Sequence, residues 1–264
     1  MKSYQKSLEL LKKNKILIPD GKTFSGSTLF DQGLTPFAFK KGQGAKLWDV
    51  DDNVYTDFIL SLGTIAIGHA DKNINQAILR QLKDGVSYSL SHPLEIEVAS
   101  KLIQMIPSAE MVRFGKNGSD VLSASVRLAR YITSKDEIAC CGYHGYQDWS
   151  IANSSRNGGI PNSIKKICQR FTFNDIDSLN KLIKNNDLSC VVMDCVARYY
   201  PKPGFLEDVR DLTQKNNIIL IFDEVITGFR LAPGGAQEFF GVTPDLSCFG
   251  KAIANGMPLA ALVG

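Results

Sequence analysis

The run Ile218-Ile219-Leu220-Ile221-Phe222, closed by Asp223, constrains the fold more than any other stretch of the chain. Five consecutive apolar residues leave no face for water, which is the pattern of a parallel strand covered on both sides. Asp223 then falls where that strand should end. In open α/β sheets ligands lie beyond the carboxyl ends of the strands, so an acid there points at a site. A second apolar run, Leu246 to Phe249, is followed by Gly250 and Lys251, which puts an amine at the end of another strand. An acid and an amine can then face one ligand.

Upstream the pattern repeats. Strands are expected over 111–114, 138–141 and 190–194, and helices over 120–133, 176–184 and 205–216. Such alternation implies an α/β fold, a mostly parallel sheet with helices on both faces. Ahead of it, a short amphipathic helix over 3–14 stops at Ile18-Pro19-Asp20-Gly21. The stretch 22–44 reads as irregular, and 46–50 with 54–58 reads as a hairpin. A helix opening at Ile67-Gly68-His69-Ala70 and reaching about 84, then another over 93–106, complete the chain's first part. The expected division is a segment 1–70 of helix, loop and β-hairpin, and a large domain 71–264. The apolar run 258–264 is strand-like and has nothing after it.

Composition excludes several function classes. The formal net charge is +3 and the lysines are scattered, which excludes a nucleic-acid surface or a membrane patch. No apolar run approaches the roughly 20 residues that span a bilayer. The six cysteines form no CxxC pair and no signal peptide precedes them, which points to reduced thiols in the cytoplasm. Three histidines are too few and too scattered for a metal cluster, and the cysteines show no zinc spacing. His69 and His92 read as turn or core histidines, whereas His144 lies in a turn after a strand, near the expected ligand.

Between the strand at 111–114 and the next helix stands Lys116-Asn117-Gly118-Ser119-Asp120. The amides of a helix's first turn, with the Ser119 hydroxyl, suit a phosphate dianion. The alternative is an ordinary N-cap, since Ser and Asp are preferred there too. A phosphate, an acid and an amine together suit pyridoxal phosphate (PLP), whose aldehyde is carried on a lysine and whose ring nitrogen is kept protonated by an aspartate.

Phe222-Asp223-Glu224-Val225-Ile226-Thr227-Gly228-Phe229-Arg230, with Gly250-Lys251-Ala252 and Gly256-Met257-Pro258 behind it, resembles the class III aminotransferases. Within them it is most similar to the glutamate-1-semialdehyde 2,1-aminomutase branch. Lys251 follows Asp223 by 28 residues, the family's spacing. The resemblance implies the large domain of a fold-type I PLP transferase, without the family's smaller C-terminal domain. It implies transfer of an amino group between small amine and carbonyl substrates, in a protein that is a homodimer when complete. Lys251 would carry PLP as a Schiff base and then move a proton, and Asp223 would hold the ring nitrogen. Gly118 and Ser119 would bind the phosphate. Tyr143 would stack on the ring with His144 in support, and Val225 would pack on the opposite face.

Two departures qualify the likeness. The family has Asn-Ser-Gly-Thr-Glu where Lys116 and Asn117 stand, which leaves the glycine and the hydroxyl in place. Asp194-Cys195-Val196 replaces the family's Glu-Pro-Val, so contacts made from that loop on the cofactor's phenolic side are not carried over. The aminomutase branch also grips a substrate carboxylate with an arginine ahead of the hairpin. Between Lys15 and Val50 there is none, and Lys22, Lys40, Lys41 and Lys46 read as surface cations. An uncharged partner such as an amino sugar or aldehyde is therefore expected, since a carboxylate buried without a bidentate partner costs several kcal/mol. Two other readings differ in class. A dinucleotide-binding protein would need Gly-x-Gly-x-x-Gly after its first strand, which is missing. A truncated or partner-dependent chain would bind PLP without independent turnover.

Overall fold

A computed structural model describes residues 3–19 and 36–264, so Lys22 and most of the stretch expected to be irregular lie outside the described residues. Packing divides the chain into two compact units, Met1–Tyr88 and Ser89–Gly264.

In the first unit the hairpin forms as expected from β2 (Lys46–Asp49) and β3 (Val54–Thr56), after a helix α1 (Gln5–Leu17). Asp49 holds the turn. Its carboxylate accepts from the N–H groups of Asp51 and Asn53 at 2.9 and 2.8 Å, and from the Tyr55 hydroxyl at 2.9 Å. Asp51 in the same turn accepts from the N–H groups of Lys6 and Ser7 at 2.8 and 2.9 Å, so the hairpin caps the start of α1. A third strand, β1 (Phe39–Gln43), pairs antiparallel with β2 inside the stretch expected to be irregular. Its Phe-Lys-Lys-Gly-Gln sequence is almost wholly exposed and carries no alternation to read. After the single turn α2 (Leu60–Gly63), helix α3 (Lys72–Asp84) begins later than expected. His69 is instead bridged to Gly44 through both backbone groups, at 2.8 and 2.9 Å, and Asp71 caps the helix by accepting from Asn73 and Ile74.

The second unit opens with α4 (Pro93–Met105), capped by His92, whose Nδ1 accepts from Leu94 N–H at 3.2 Å. There follow β4 (Val112–Gly115), α5 (Gly118–Thr133), β5 (Glu137–Cys141), α6 (Asp148–Ile151), α7 (Asn162–Ile167) and β6 (Cys168–Arg170). Then come α8 (Ile176–Asn185), β7 (Leu188–Asp194), α9 (Phe205–Lys215), β8 (Ile219–Glu224), α10 (Ala236–Phe240), β9 (Leu246–Phe249), a 3-10 turn (Lys251–Ala254) and β10 (Ala260–Val263). The seven strands lie in the order β4-β10-β9-β8-β7-β5-β6, and β10 alone runs against its neighbours. The terminal apolar run is thus an interior strand.

Both faces of the sheet are covered, as the unbroken apolar runs require. Ile138, Cys140, Cys190, Val192 and Ile221 pack with Val121, Leu122 and Val126 of α5 on one side. Ala139, Cys141, Val191, Met193, Leu220 and Phe222 pack with Leu179 of α8 and Phe205, Leu206 and Val209 of α9 on the other. Each fully buried aliphatic or aromatic side chain contributes about 1.5–3 kcal/mol, so the strand ends rest on a stiff base. All six cysteines are free and buried within it. Burial pushes every thiol up, Cys140 to about 11, which leaves no reactive thiolate among them.

Candidate functional site

The carboxyl ends of β5, β7, β8 and β9 lie side by side, because those strands are parallel and adjacent. From β8 comes Asp223, almost fully buried. One of its oxygens accepts from Val225 N–H at 3.0 Å and the other lies 2.8 Å from His144 Nδ1, from the turn after β5. His144 is 1% exposed, stacked on Trp149 at 6.1 Å, and its Nε2 has no partner. Burial alone would pull the imidazole down. The hydrogen bond and charge of Asp223 outweigh it, and His144 stands above its ordinary value.

Three loops meet around Val225. A Cβ at Gly118 would come within 2.8 Å of the Val225 side chain, and one at Gly250 within 3.3 Å. Only glycine lets the first turn of α5 and the end of β9 approach so closely. Ser119 lies against Gly145, whose Cβ would come within 2.7 Å of it. The N-cap of α5 is Asn117, with Asp120 accepting from its N–H and side-chain amide at 3.2 and 3.1 Å, so capping does not occupy Ser119. Gly118 and Ser119 are the first helical residues, and their N–H groups have no carbonyl inside the helix.

Lys251 opens the 3-10 turn in a left-handed conformation, φ 49°. Burial makes its ammonium easier to deprotonate, Arg230 adds to that, and Asp223 and Asp194 oppose it. No hydrogen bond or ion pair joins it to Asp223 among the described residues. Tyr143 is brought to the same edge by its backbone, whose N–H donates to Asp194 at 3.2 Å, while the residue is 65% exposed. Of the expected residues, then, Asp223 with His144, and Gly118 with Val225, are in contact. Ser119, Tyr143 and Lys251 stand around them.

Glu224 and Arg230, which carried no role in the motif reading, shape much of this geometry, and so does Asp194, read in the sequence as a departure from the family's Glu-Pro-Val. Glu224 was noted only as Asp223's neighbour, yet alternation turns it to the opposite face. There it accepts from Thr227 and from the N–H groups of Ala236 and Gln237, both at 2.9 Å, tying down the loop 225–235. Burial outweighs those donors and raises its carboxyl above the usual range. Arg230, in that loop, has Nε and Nη2 buried without partners, the two nitrogens of one fork. Asp194 pairs in register with Asp223 across β7 and β8. Burial, followed by the charge of Asp223, pushes it up to about 7, against the pull of His144, the Tyr143 N–H and Lys251.

An acid, an amine and a helix start gathered at the carboxyl edge of a parallel sheet define an α/β protein with a small-molecule site. The family described as "Aminotransferase class-III" matches residues 30–264, and the chain belongs to it. The chain is 39% identical to a 3-aminobutyryl-CoA aminotransferase of Cloacimonas acidaminovorans, over 98% of its own length. It is 40% identical to a glutamate-1-semialdehyde 2,1-aminomutase of Methanobrevibacter smithii, again over 98%. In each case it spans 64% of the relative's length. The solved structure of the FumI protein of Sphingopyxis sp. MTA144, in its PLP internal aldimine form, matches with a TM-score of 0.92 at 28% identity. That match covers 98% of this chain and 64% of the other.

Proposed function

We propose that the chain forms the cofactor-binding part of a PLP-dependent enzyme that moves an amino group between a small amine and a carbonyl compound. The observation that carries this reading is the buried Asp223–His144 pair standing at the same sheet edge as Lys251. The residues fit the group. Gly118 and Ser119 offer unpaired helix N–H groups and a hydroxyl for a phosphate dianion, and the bare Gly118–Val225 contact leaves a close backbone wall. PLP supplies an aldehyde that combines with amines and a protonated ring that draws electrons from a neighbouring C–H bond.

Lys251 is the residue that would hold the cofactor and afterwards carry a proton, a task helped by the burial that makes its ammonium easier to deprotonate. Asp223 would keep the ring nitrogen charged through a charge-assisted hydrogen bond, worth about 1.5–3 kcal/mol. His144 fixes the Asp223 carboxylate, Val225 lines one ring face, and Tyr143 would swing its exposed ring over the other. The six buried thiols suit a reducing cytoplasm. Exposed apolar side chains, among them Ile96, Met111 and Tyr131, suit a second copy in a homodimer, and turnover is proposed to need the full length its relatives have.

Treating the protein with PLP and borohydride, then mapping peptides, tests the assignment. Label on Lys251 is the expected result, and label on a different lysine overturns it.

For the substrate, an uncharged amine or carbonyl compound remains the proposal. Three of the four cations ahead of and within the hairpin are already engaged: Lys40 with Asp52 at 2.7 Å, Lys41 over Trp48 at 4.7 Å, and Lys46 with the Thr56 hydroxyl at 2.8 Å. The unpartnered fork of Arg230 favours a second reading, a substrate carboxylate held there. A panel of amino sugars, aldehydes and glutamate-1-semialdehyde separates the two, and preference for the last would sink the first.

A further inference from the structure

Asp194 is half-buried and has fewer donors than the two buried acids of the sheet edge. Asp223 receives His144 and an N–H, Glu224 receives several donors, and Asp194 receives only the Tyr143 N–H at 3.2 Å. Its neighbours are close: one nitrogen or oxygen atom from each of His144, Asp194 and Asp223 lies within 4.8 Å of the others. Two carboxylates this near, one buried and one half-buried, ionise together only at a penalty, and one imidazolium offsets only one of them. His144 is committed to Asp223. The uncompensated acid is therefore Asp194.

We propose that Asp194 is a proton-holding, positioning residue of the site: in its protonated form it leaves the cluster with one carboxylate and one imidazolium, and its ionisation tightens the hold on the remaining proton. The groups facing it are Asp223 from β8, His144 and the Tyr143 N–H after β5, Lys251 after β9, and Cys141 and Cys195 beside it, while Arg170 from β6 acts on His144 and Cys141. Arg170 is held there by donating to the Gly142 carbonyl at 2.9 Å. Gly142, left-handed at φ 120°, has no Cβ to collide with the Asp194 carboxylate, so the acid is seated against bare backbone. When the pH rises the proton leaves Asp194 for solvent. The added negative charge then holds the proton of His144 to higher pH, and, on the reading of Asp223 as the ring-nitrogen partner, that of the cofactor nitrogen too.

Trp149, stacked on His144 at an interplanar angle of 11°, provides a reporter that needs no cofactor. With Trp48→Phe removing the other indole, Trp149 emission of the cofactor-free protein is titrated against pH. Asp194→Asn is expected to lower the His144 midpoint by about one pH unit or more, and Asp194→Glu to return it toward wild type. An unchanged midpoint in folded Asp194→Asn overturns the proposal. Carbon-13 NMR of aspartate-labelled wild type decides the matter even if that variant does not fold. One carboxyl titrating near neutrality is expected, and all aspartates titrating below about pH 5 would overturn it. Borohydride trapping is scored separately. A shifted midpoint without label on Lys251 sinks the cofactor reading alone, and label without a shift sinks the Asp194 proposal alone.

Discussion

Among the described residues two Asp–His pairs have nearly equal length and unlike surroundings. In the first unit His69 Nε2 lies 2.7 Å from Asp57, whose other oxygen accepts from the N–H groups of Ile59 and Leu60 at 2.9 Å. The His69 side chain keeps 18% of its surface, and Gly42 leaves room for its ring. In the second unit the His144 side chain keeps none, its far nitrogen is unpartnered, and another carboxylate stands beside the pair. The same hydrogen bond therefore does two jobs. Where water reaches and every acceptor is used, it fastens a turn. Where water is excluded and one acid is left over, it is proposed to hold charge for a ligand.

The largest effect that could break this contrast comes from exchanging each acid for its amide. Asp223→Asn should keep the fold and lower amino transfer by about 10³-fold, or about 4 kcal/mol, since an amide cannot hold a protonated ring nitrogen. Asp57→Asn should do the reverse, losing about 1–3 kcal/mol of stability with the rate little changed. Rate constants and urea midpoints of both variants decide it. If Asp57→Asn lost the rate and Asp223→Asn only stability, the assignment would be inverted.

Removing the imidazoles is the next test. His144→Ala leaves a buried carboxylate short of its donor and should cost about 2–3 kcal/mol, together with weaker binding of PLP. His69→Ala leaves Asp57 two backbone donors and partial access to water, and should cost about 1 kcal/mol or less. Equal losses in thermal melts would show that burial does not separate the pairs.

Much of this was legible beforehand, and the exceptions have physical causes. The strands leading to Asp223 and to Lys251 announced themselves because a strand covered on both faces is mostly apolar, the buried Ser247 of β9 being paired with Ser108 and Gln237. The polar edge strand β1 and the three-residue β6 have too few buried positions to leave a pattern. The 258–264 run read as a strand, but side-chain alternation is the same in either direction, so its antiparallel pairing with β4 and β9 was hidden. Asp223, Lys251 and Gly118 could be picked out by spacing and motif. Asp194 showed in the sequence as a departure from the family's Glu-Pro-Val, but not its nearness to Asp223 and His144, residues 29 and 50 positions away that only the sheet brings together. Glu224 hid for a related reason, since its work is done on the loop 225–235 that folds back over it.

A smaller effect sharpens the contrast through pH. The Asp194 carboxyl is raised in the folded chain to about 7, so the unfolded chain gives up this proton first. Wild type should therefore lose stability relative to Asp194→Asn as pH rises from about 4 to about 7, by up to about 4 kcal/mol, and the gap should then stay constant. Urea midpoints of the two proteins across that window check the sign, and a gap that opened toward acid would contradict it.

The smallest effect belongs to the pair in the first unit and has the opposite sign. Burial works to raise the Asp57 carboxyl, but the His69 hydrogen bond and the N–H groups of Leu60 and Ile59 together overcome it, so its value is lowered on folding. An acid lowered on folding contributes stability that is complete above its unfolded value and lost as pH falls through the folded one. Because burial cancels part of the donors' effect, the contribution should be under about 1 kcal/mol. The advantage of wild type over Asp57→Asn should accordingly narrow between about pH 6 and about pH 3, whereas the Asp194→Asn gap closes toward acid because Asp194 is already protonated there. Urea midpoints at the two pH values, with the Asp194 variant measured alongside, isolate the difference. A wild-type advantage at Asp57 that widened in acid would mean that burial, not hydrogen bonding, controls that carboxyl. The two pairs would then differ in degree of enclosure and no longer in kind.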